Sequence, residues 1–194
     1  MTGTNDMPND TPQTAVLALG SNLGDREATL AAAVREIADL AGAELTAISP
    51  VYASDAVKPD GVDLDAPGYL NLVVSLVWAG DPHALLDAVN GIENAHGRVR
   101  EERWGDRTLD IDLICVGDLQ IDDDRLTLPH PRAAERDFVL APWADIAPDA
   151  EIPGRGRVTE LLAVAARTAR AHPVSASTDP AHTEVAPGLQ EPQS

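Results

Sequence analysis

Apolar and polar positions switch between two periods along the chain. Residues 14–20 (TAVLALG) form a short apolar run broken by Gly20-Ser21-Asn22, as a buried strand would be. Over 25–41, Leu30, Val34, Ile37 and Ala41 recur at helical spacing, and Gly42 is placed to end that helix. Residues 44–54 alternate well enough for one strand. The stretch 55–68 (DAVKPDGVDLDAPG) is crowded with Pro, Gly and Asp and reads as a loop. Residues 69–78 (YLNLVVSLVW) return to a strand, with Leu70, Leu72, Val74 and Leu76 on one face. Asp81-Pro82 is an N-cap followed by a first-turn proline. The helix it opens has Leu85, Leu86, Val89 and Ile92 on its apolar face. Residues 97–107 are charged and glycine-flanked, hence a loop; 109–116 is a strand and 119–128 contains another. An amphipathic helix over 159–170 closes the unit. Strands joined both directly and through helices predict an α+β sandwich, with helices packed on a mostly antiparallel sheet.

The two ends break the pattern. Residues 1–13 are polar with two prolines, and 174–194 carry three prolines and no Lys or Arg. Such segments bury too little apolar surface to offset ordering entropy, so both are expected to be disordered tails around a folded unit at 14–173. Across the 194 residues, 32 acidic side chains face 14 basic ones, a net charge of -18. That balance argues against nucleic acid and anionic membranes as partners. One cysteine, Cys115, excludes an internal disulfide and a cysteine-rich metal knuckle. With no signal-like N-terminus and no apolar run of spanning length, a soluble cytoplasmic protein is expected.

Chemistry concentrates at Leu109-Asp110-Ile111-Asp112-Leu113. In a strand, residues two apart share a face, so Asp110 and Asp112 stand side by side. Paired carboxylates suit Mg²⁺, which takes one or two of them plus phosphate oxygens. An isolated D-x-D is more often the wet face of a strand; the segment before it changes the balance. Arg98, Arg100, Arg103 and Arg107 crowd into ten residues between Gly97 and the acidic pair. A guanidinium fork beside metal carboxylates is what a polyphosphate needs. A second cluster runs from Arg125 through Thr127 and His130, held between Pro129 and Pro131, to Arg136. No Walker P-loop or protein-kinase signature is present, and the only lysine is Lys58.

Taken together, LALGSNLGD at 17–25, YLN at 69–71, GRVREERWGDRTLDIDL at 97–113 and RLTLPHPR at 125–132 resemble the 6-hydroxymethyl-7,8-dihydropterin pyrophosphokinases of folate biosynthesis. The resemblance covers roughly residues 14–153. It implies a ferredoxin-like α+β fold, ATP and the pterin as small-molecule substrates, and two Mg²⁺ ions. It further implies an enzyme that moves the diphosphate of ATP onto the pterin's hydroxymethyl oxygen and releases AMP; a monomer is expected. Asp110 and Asp112 would be the metal ligands, and with Arg98 and Arg107 the catalytic set. Asn90, Arg100, Arg103, Leu113, Arg125, Thr127, His130 and Arg136 would bind ATP. Tyr69 and Phe138 would sandwich the pterin, Trp104 would close over it, and Asn71 with groups at Ser54 and Val57 would read its edge. The chain departs from the family pattern at Ala53-Ser54-Asp55-Ala56-Val57, which lacks the usual proline. It also departs in a loop made acidic by Asp60, Asp63 and Asp65.

Overall fold

The computed structural model describes residues 11–58, 61–63, 67–97, 108–165 and 168–172. Both expected tails therefore lie almost wholly outside the described residues. Strand β1 (Gln13–Ser21) leads into helix α1 (Arg26–Ala38), then β2 (Ala43–Ile48) and β3 (Tyr52–Ser54). A small hairpin, β4 (Ala56–Lys58) and β5 (Gly61–Asp63), precedes β6 (Tyr69–Trp78) and helix α2 (Pro82–Ala95). Strand β7 (Asp110–Val116) is followed by a second hairpin, β8 (Ile121–Asp122) and β9 (Thr127–Leu128), and a 3-10 turn at Ala133–Glu135. Helix α3 (Asp137–Ile146), hairpin β10 (Glu151–Ile152) and β11 (Gly156–Arg157), helix α4 (Val158–Val164) and β12 (Arg170–Ala171) complete the order.

The main sheet is antiparallel in the order β12-β3-β6-β1-β7, with β2 also pairing β6. Both faces of the sheet are covered, which explains why β1 and β6 read as nearly unbroken apolar runs. On one face Leu17, Leu19, Leu72, Val74 and Leu76 pack with Leu30, Ile37, Leu85 and Val89 of α1 and α2. On the other, Val16, Val73 and Ile114 pack with Val139, Leu140 and Trp143 of α3 and with Val158 of α4. Each fully buried aliphatic side chain contributes roughly 1.5–3 kcal/mol of burial. Cys115 belongs to this second core, where burial pushes its thiol up to about 12, out of reach as a nucleophile.

Several elements differ from the sequence pattern for identifiable reasons. The run 44–54 is two strands, not one, because Pro50 has no N–H to give the ladder. Ser49 bridges the break: its N–H donates to Val73 O and its Oγ accepts from Val73 N, both at 2.9 Å. The expected loop at 55–68 contains the β4–β5 hairpin, with Val57 opposite Val62. Helix α1 stops at Asp39, and Gly42 (φ +89°) instead turns the chain into β2. The pattern predicts no helix at 137–146, where Pro142 sits inside α3. The expected helix at 159–170 ends at Val164, and the chain crosses back as β12 to pair with β3.

Helix α2 begins as its sequence predicts, with Asp81 accepting from His83 N at 2.6 Å. The His83 ring lies between Asp81 (3.2 Å) and Asp123 (2.8 Å), joining the helix start to the β8–β9 turn. The hydrogen bond to Asp123 raises the His83 pKa, with burial opposing it and the charges of Asp123 and Asp81 adding to the rise. A raised folded-state pKa stabilises fully below the unfolded value and loses that contribution as pH climbs through the folded one. Thermal melts of His83→Ala should therefore fall furthest below wild type near about pH 5 and converge on it near about pH 9.

Candidate active site

Sheet register, not sequence proximity, assembles the site. Gly20 near the end of β1 opposes Asn71 on one side and Asp110 on the other, while Asn71 opposes Tyr52. Tyr52, Asn71, Gly20 and Asp110 thus form one row across four strands. The adjacent row continues with Ser54 opposite Tyr69, and Ala18 lies opposite Asp112. Strand pleating puts all of these on the face covered by α3. With strands about 4.8 Å apart, Asn71 and Asp110 stand roughly 10 Å from each other with bare backbone between them.

Glycine at position 20 is what keeps that floor open. It is absent from the positive-φ glycines, so backbone conformation does not demand it. A Cβ there would lie 3.3 Å from Asn71 Oδ1 and 3.7 Å from Tyr69 Cδ1. Asn71 is buried, and its Nδ2 donates to Ser54 Oγ at 2.9 Å and more weakly to Tyr52 O at 3.4 Å. These bonds fix the amide and aim Oδ1 over Gly20, where a flat ligand edge can donate to it.

At the other end of the row, Asp110 and Asp112 are both partly exposed on the same face of β7. Arg136 donates to Asp112 Oδ2 at 3.0 Å, and its guanidinium carbon sits 5.5 Å from the Phe138 ring centre. His130 Nε2 is 3.9 Å from the same Asp112 oxygen. The histidine is anchored from behind: its N–H donates to Ile114 O at 2.8 Å, and its Nδ1 accepts from Arg132 N at 3.3 Å. That leaves the proton of a neutral ring on Nε2, facing the carboxylates. Burial lowers the His130 pKa, with Asp112 pulling the other way and Arg136 and Arg132 adding to the depression. A neutral donor follows, suited to a phosphate oxygen.

A third group lies around α2 and the β8–β9 hairpin. Arg125 pairs with Asp87 Oδ1 at 2.5 Å, one helical turn before Asn90. Thr127 reaches Asp122 across the hairpin at 3.4 Å and, with Pro129, Pro131 and Arg155, lines a cleft of about 380 Å³. Leu113 turns its side chain into the core beneath α1 and α2, so only its backbone can meet a ligand. Arg98, Arg100, Arg103, Trp104 and Arg107 lie outside the described residues, as does the side chain of Val57.

Sequence reasoning missed two contributors. Gly20 looked like an ordinary turn glycine, since only the register reveals Asn71 and Asp110 on either side. Glu93 received no role from the sequence pattern, yet it is 1% exposed, and its Oε1 accepts from Ile111 N at 2.8 Å. Ile111 is the residue between the two aspartates, so a buried carboxylate holds the backbone that aims them. The burial of an acid among Leu85, Val89 and Ile92 is visible only as its place on the α2 apolar face.

The family model for 7,8-dihydro-6-hydroxymethylpterin-pyrophosphokinase (HPPK) matches residues 16–148, more than half of the chain. The chain belongs to that family. Among HPPK relatives, the 2-amino-4-hydroxy-6-hydroxymethyldihydropteridine pyrophosphokinase of Methylorubrum extorquens is 45% identical over 149 residues, which is 77% of this chain and 91% of that protein. The protein of the same name from Pseudomonas aeruginosa is 42% identical over 151 residues, 78% and 91% of the two chains. Among solved structures, Plasmodium falciparum HPPK-DHPS wild type with pterin and p-hydroxybenzoate aligns with a TM-score of 0.60 at 14% identity. That alignment covers 80% of this chain and 43% of the Plasmodium chain, and at that identity it shows the shared HPPK fold.

Proposed function

We propose that this protein transfers the β,γ-diphosphate of ATP to the hydroxymethyl group of 6-hydroxymethyl-7,8-dihydropterin, releasing AMP, in tetrahydrofolate biosynthesis. The pterin oxygen forms a bond to the β-phosphorus, the bond from that phosphorus to the oxygen carried by AMP breaks, and the hydroxyl proton leaves. The observation that carries this reading is the row Asn71–Gly20–Asp110. This register brings an amide suited to a flat heterocycle and a carboxylate pair suited to a polyphosphate onto one face, with a glycine between them.

The donor set fits Mg²⁺. Two half-exposed carboxylates on one strand face are what this ion usually takes from a protein. Among the described residues no group of three or more His, Cys, Asp or Glu could hold an ion unaided, so phosphate oxygens would complete the shell. Asp110 and Asp112 would hold two Mg²⁺, which draw charge from the triphosphate when bound. The chain's own residues supply position and field. His130 donates from Nε2 and Arg136 from its guanidinium to the phosphates; Arg98, Arg100, Arg103 and Arg107 add positive charge from the preceding loop. Asn90, Arg125, Thr127 and the backbone at Leu113 hold the nucleotide. Ser54 and Asn71, with Val57 nearby, read the pterin edge, and Tyr69, Phe138 and Trp104 cover its faces. No membrane-crossing helix occurs among the described residues. A cytoplasmic monomer accords with the small, soluble substrates.

Chromatography of nucleotides after incubation with ATP, Mg²⁺ and the pterin tests the reading. AMP should accumulate only when all three are present. AMP formed without the pterin, or ADP formed with it, would count against the proposal.

A further inference from the structure

Asp137 is a carboxylate with 4% exposure that neither half of the site uses. It opens α3 between Arg136, which reaches Asp112, and Phe138, whose ring carries the Arg136 guanidinium. Its Oδ1 accepts from Thr168 Oγ1 at 2.7 Å and its Oδ2 from Ala169 N at 2.7 Å; Thr168 N also donates to Oδ2. The residues immediately following are β12, where Arg170 opposes Ala53 and Ala171 opposes Tyr52. His172 N donates to Val51 O at 2.8 Å, and Arg170 pairs with Asp55 at 3.2 Å. Farther along α3, Asp145 accepts from the Tyr52 hydroxyl at 2.7 Å; burial first, and then this contact, push that phenol up to about 12. Helix α3 is thus tied to β3 at both ends, and Ser54 lies on β3.

We infer that Asp137 is a positioning residue for the pterin half of the site, which sets Phe138 against Ser54 and Asn71 by strapping residues 168–172 to the start of α3. The inference rests on the pyrophosphokinase reading. A buried carboxylate tolerates desolvation only when its donors are held in place, so three donors from one segment make a rigid joint. A carboxylate in the first turn of a helix also favours the helix dipole, but that role stabilises α3 without distinguishing between ligands. Positioning does distinguish them. Phe138 lies in the first turn of the strapped helix; of the described residues in the ATP set only Arg136 adjoins the joint, and its guanidinium is held separately by Asp112 at 3.0 Å, while Asn90, Arg125 and Thr127 sit on elements that Asp137 does not touch.

The test is ligand binding to full-length Asp137→Asn, a near-isosteric change that puts an amide where two backbone N–H groups donate. Affinities are measured separately for an α,β-methylene ATP analogue and, with that analogue saturating, for 6-hydroxymethylpterin. Pterin binding should weaken about tenfold and analogue binding by less than about twofold. In a Phe138→Ala background the same substitution should change pterin binding by less than about twofold, because the two act through one contact. Equal weakening of both ligands, unchanged pterin affinity, or full additivity with Phe138→Ala overturns the inference. If Asp137→Asn does not fold, Thr168→Val, which removes one of the three donors, decides by the same criteria with a smaller shift. A wild-type protein that binds no pterin overturns the function itself and this inference with it. A wild type that binds while Asp137→Asn binds equally well overturns the inference alone.

Discussion

Asp112→Asn should abolish most turnover, lowering kcat by at least about a hundred- to a thousandfold while leaving the fold intact. Asp112 is the point where the proposed phosphate half of the site converges: Arg136 donates to it at 3.0 Å and His130 faces it at 3.9 Å. Replacing the carboxylate by an amide removes one of the two negative charges proposed to hold Mg²⁺ and leaves Arg136 at best a neutral acceptor. Its partial exposure limits the structural cost, because water can reach Arg136 once the negative charge is gone; about 1 kcal/mol is the expected scale. The measurement is kcat for AMP formation at saturating ATP and pterin, alongside a thermal melt. Asp110→Asn should lose comparable turnover. Retention of turnover within about tenfold by either variant would contradict the metal assignment.

Gly20→Val should block the pterin while sparing the nucleotide. Even an alanine Cβ would stand 3.3 Å from Asn71 Oδ1, closer than ordinary van der Waals contact, and the valine methyls extend farther over the floor. The backbone at Gly20 is ordinary strand, and valine is a good strand former, so the variant should fold. Pterin affinity should fall by more than about tenfold, and affinity for an ATP analogue should stay within about twofold. Calorimetric titration of each ligand checks both numbers. Loss of nucleotide binding to the same extent would show that the open floor belongs to the phosphates instead.

These two variants mark how far the sequence alone reaches. The same-face pairing of Asp110 and Asp112 follows from strand period, and it holds in β7. Strand β6 and the capped start of α2 were legible because apolar alternation and Asp81-Pro82 are local signals. Helix α3 was not, since Pro142 and a run of apolar residues on a short, largely buried helix hide its period. Nor was β12, a two-residue strand whose stability comes from Asp137 and β3 rather than from its own pattern. Gly20, Glu93 and Asp137 share one reason for escaping notice. Each acts through a partner 18 or more residues away, and long-range register is what a single sequence does not carry. The arginine loop is the converse case: its chemistry is plain in the sequence, while its placement lies outside the described residues.

The central claim is that the diphosphate moves in one piece onto the pterin hydroxymethyl oxygen. It is tested most directly with a pterin carrying ¹⁸O in that hydroxyl group, incubated with ATP and Mg²⁺, with both products read by mass spectrometry. The account predicts AMP in equal amount to a pterin diphosphate that retains the label as the bridging oxygen. ADP with a pterin monophosphate, or a product from which the label has been lost, would contradict it.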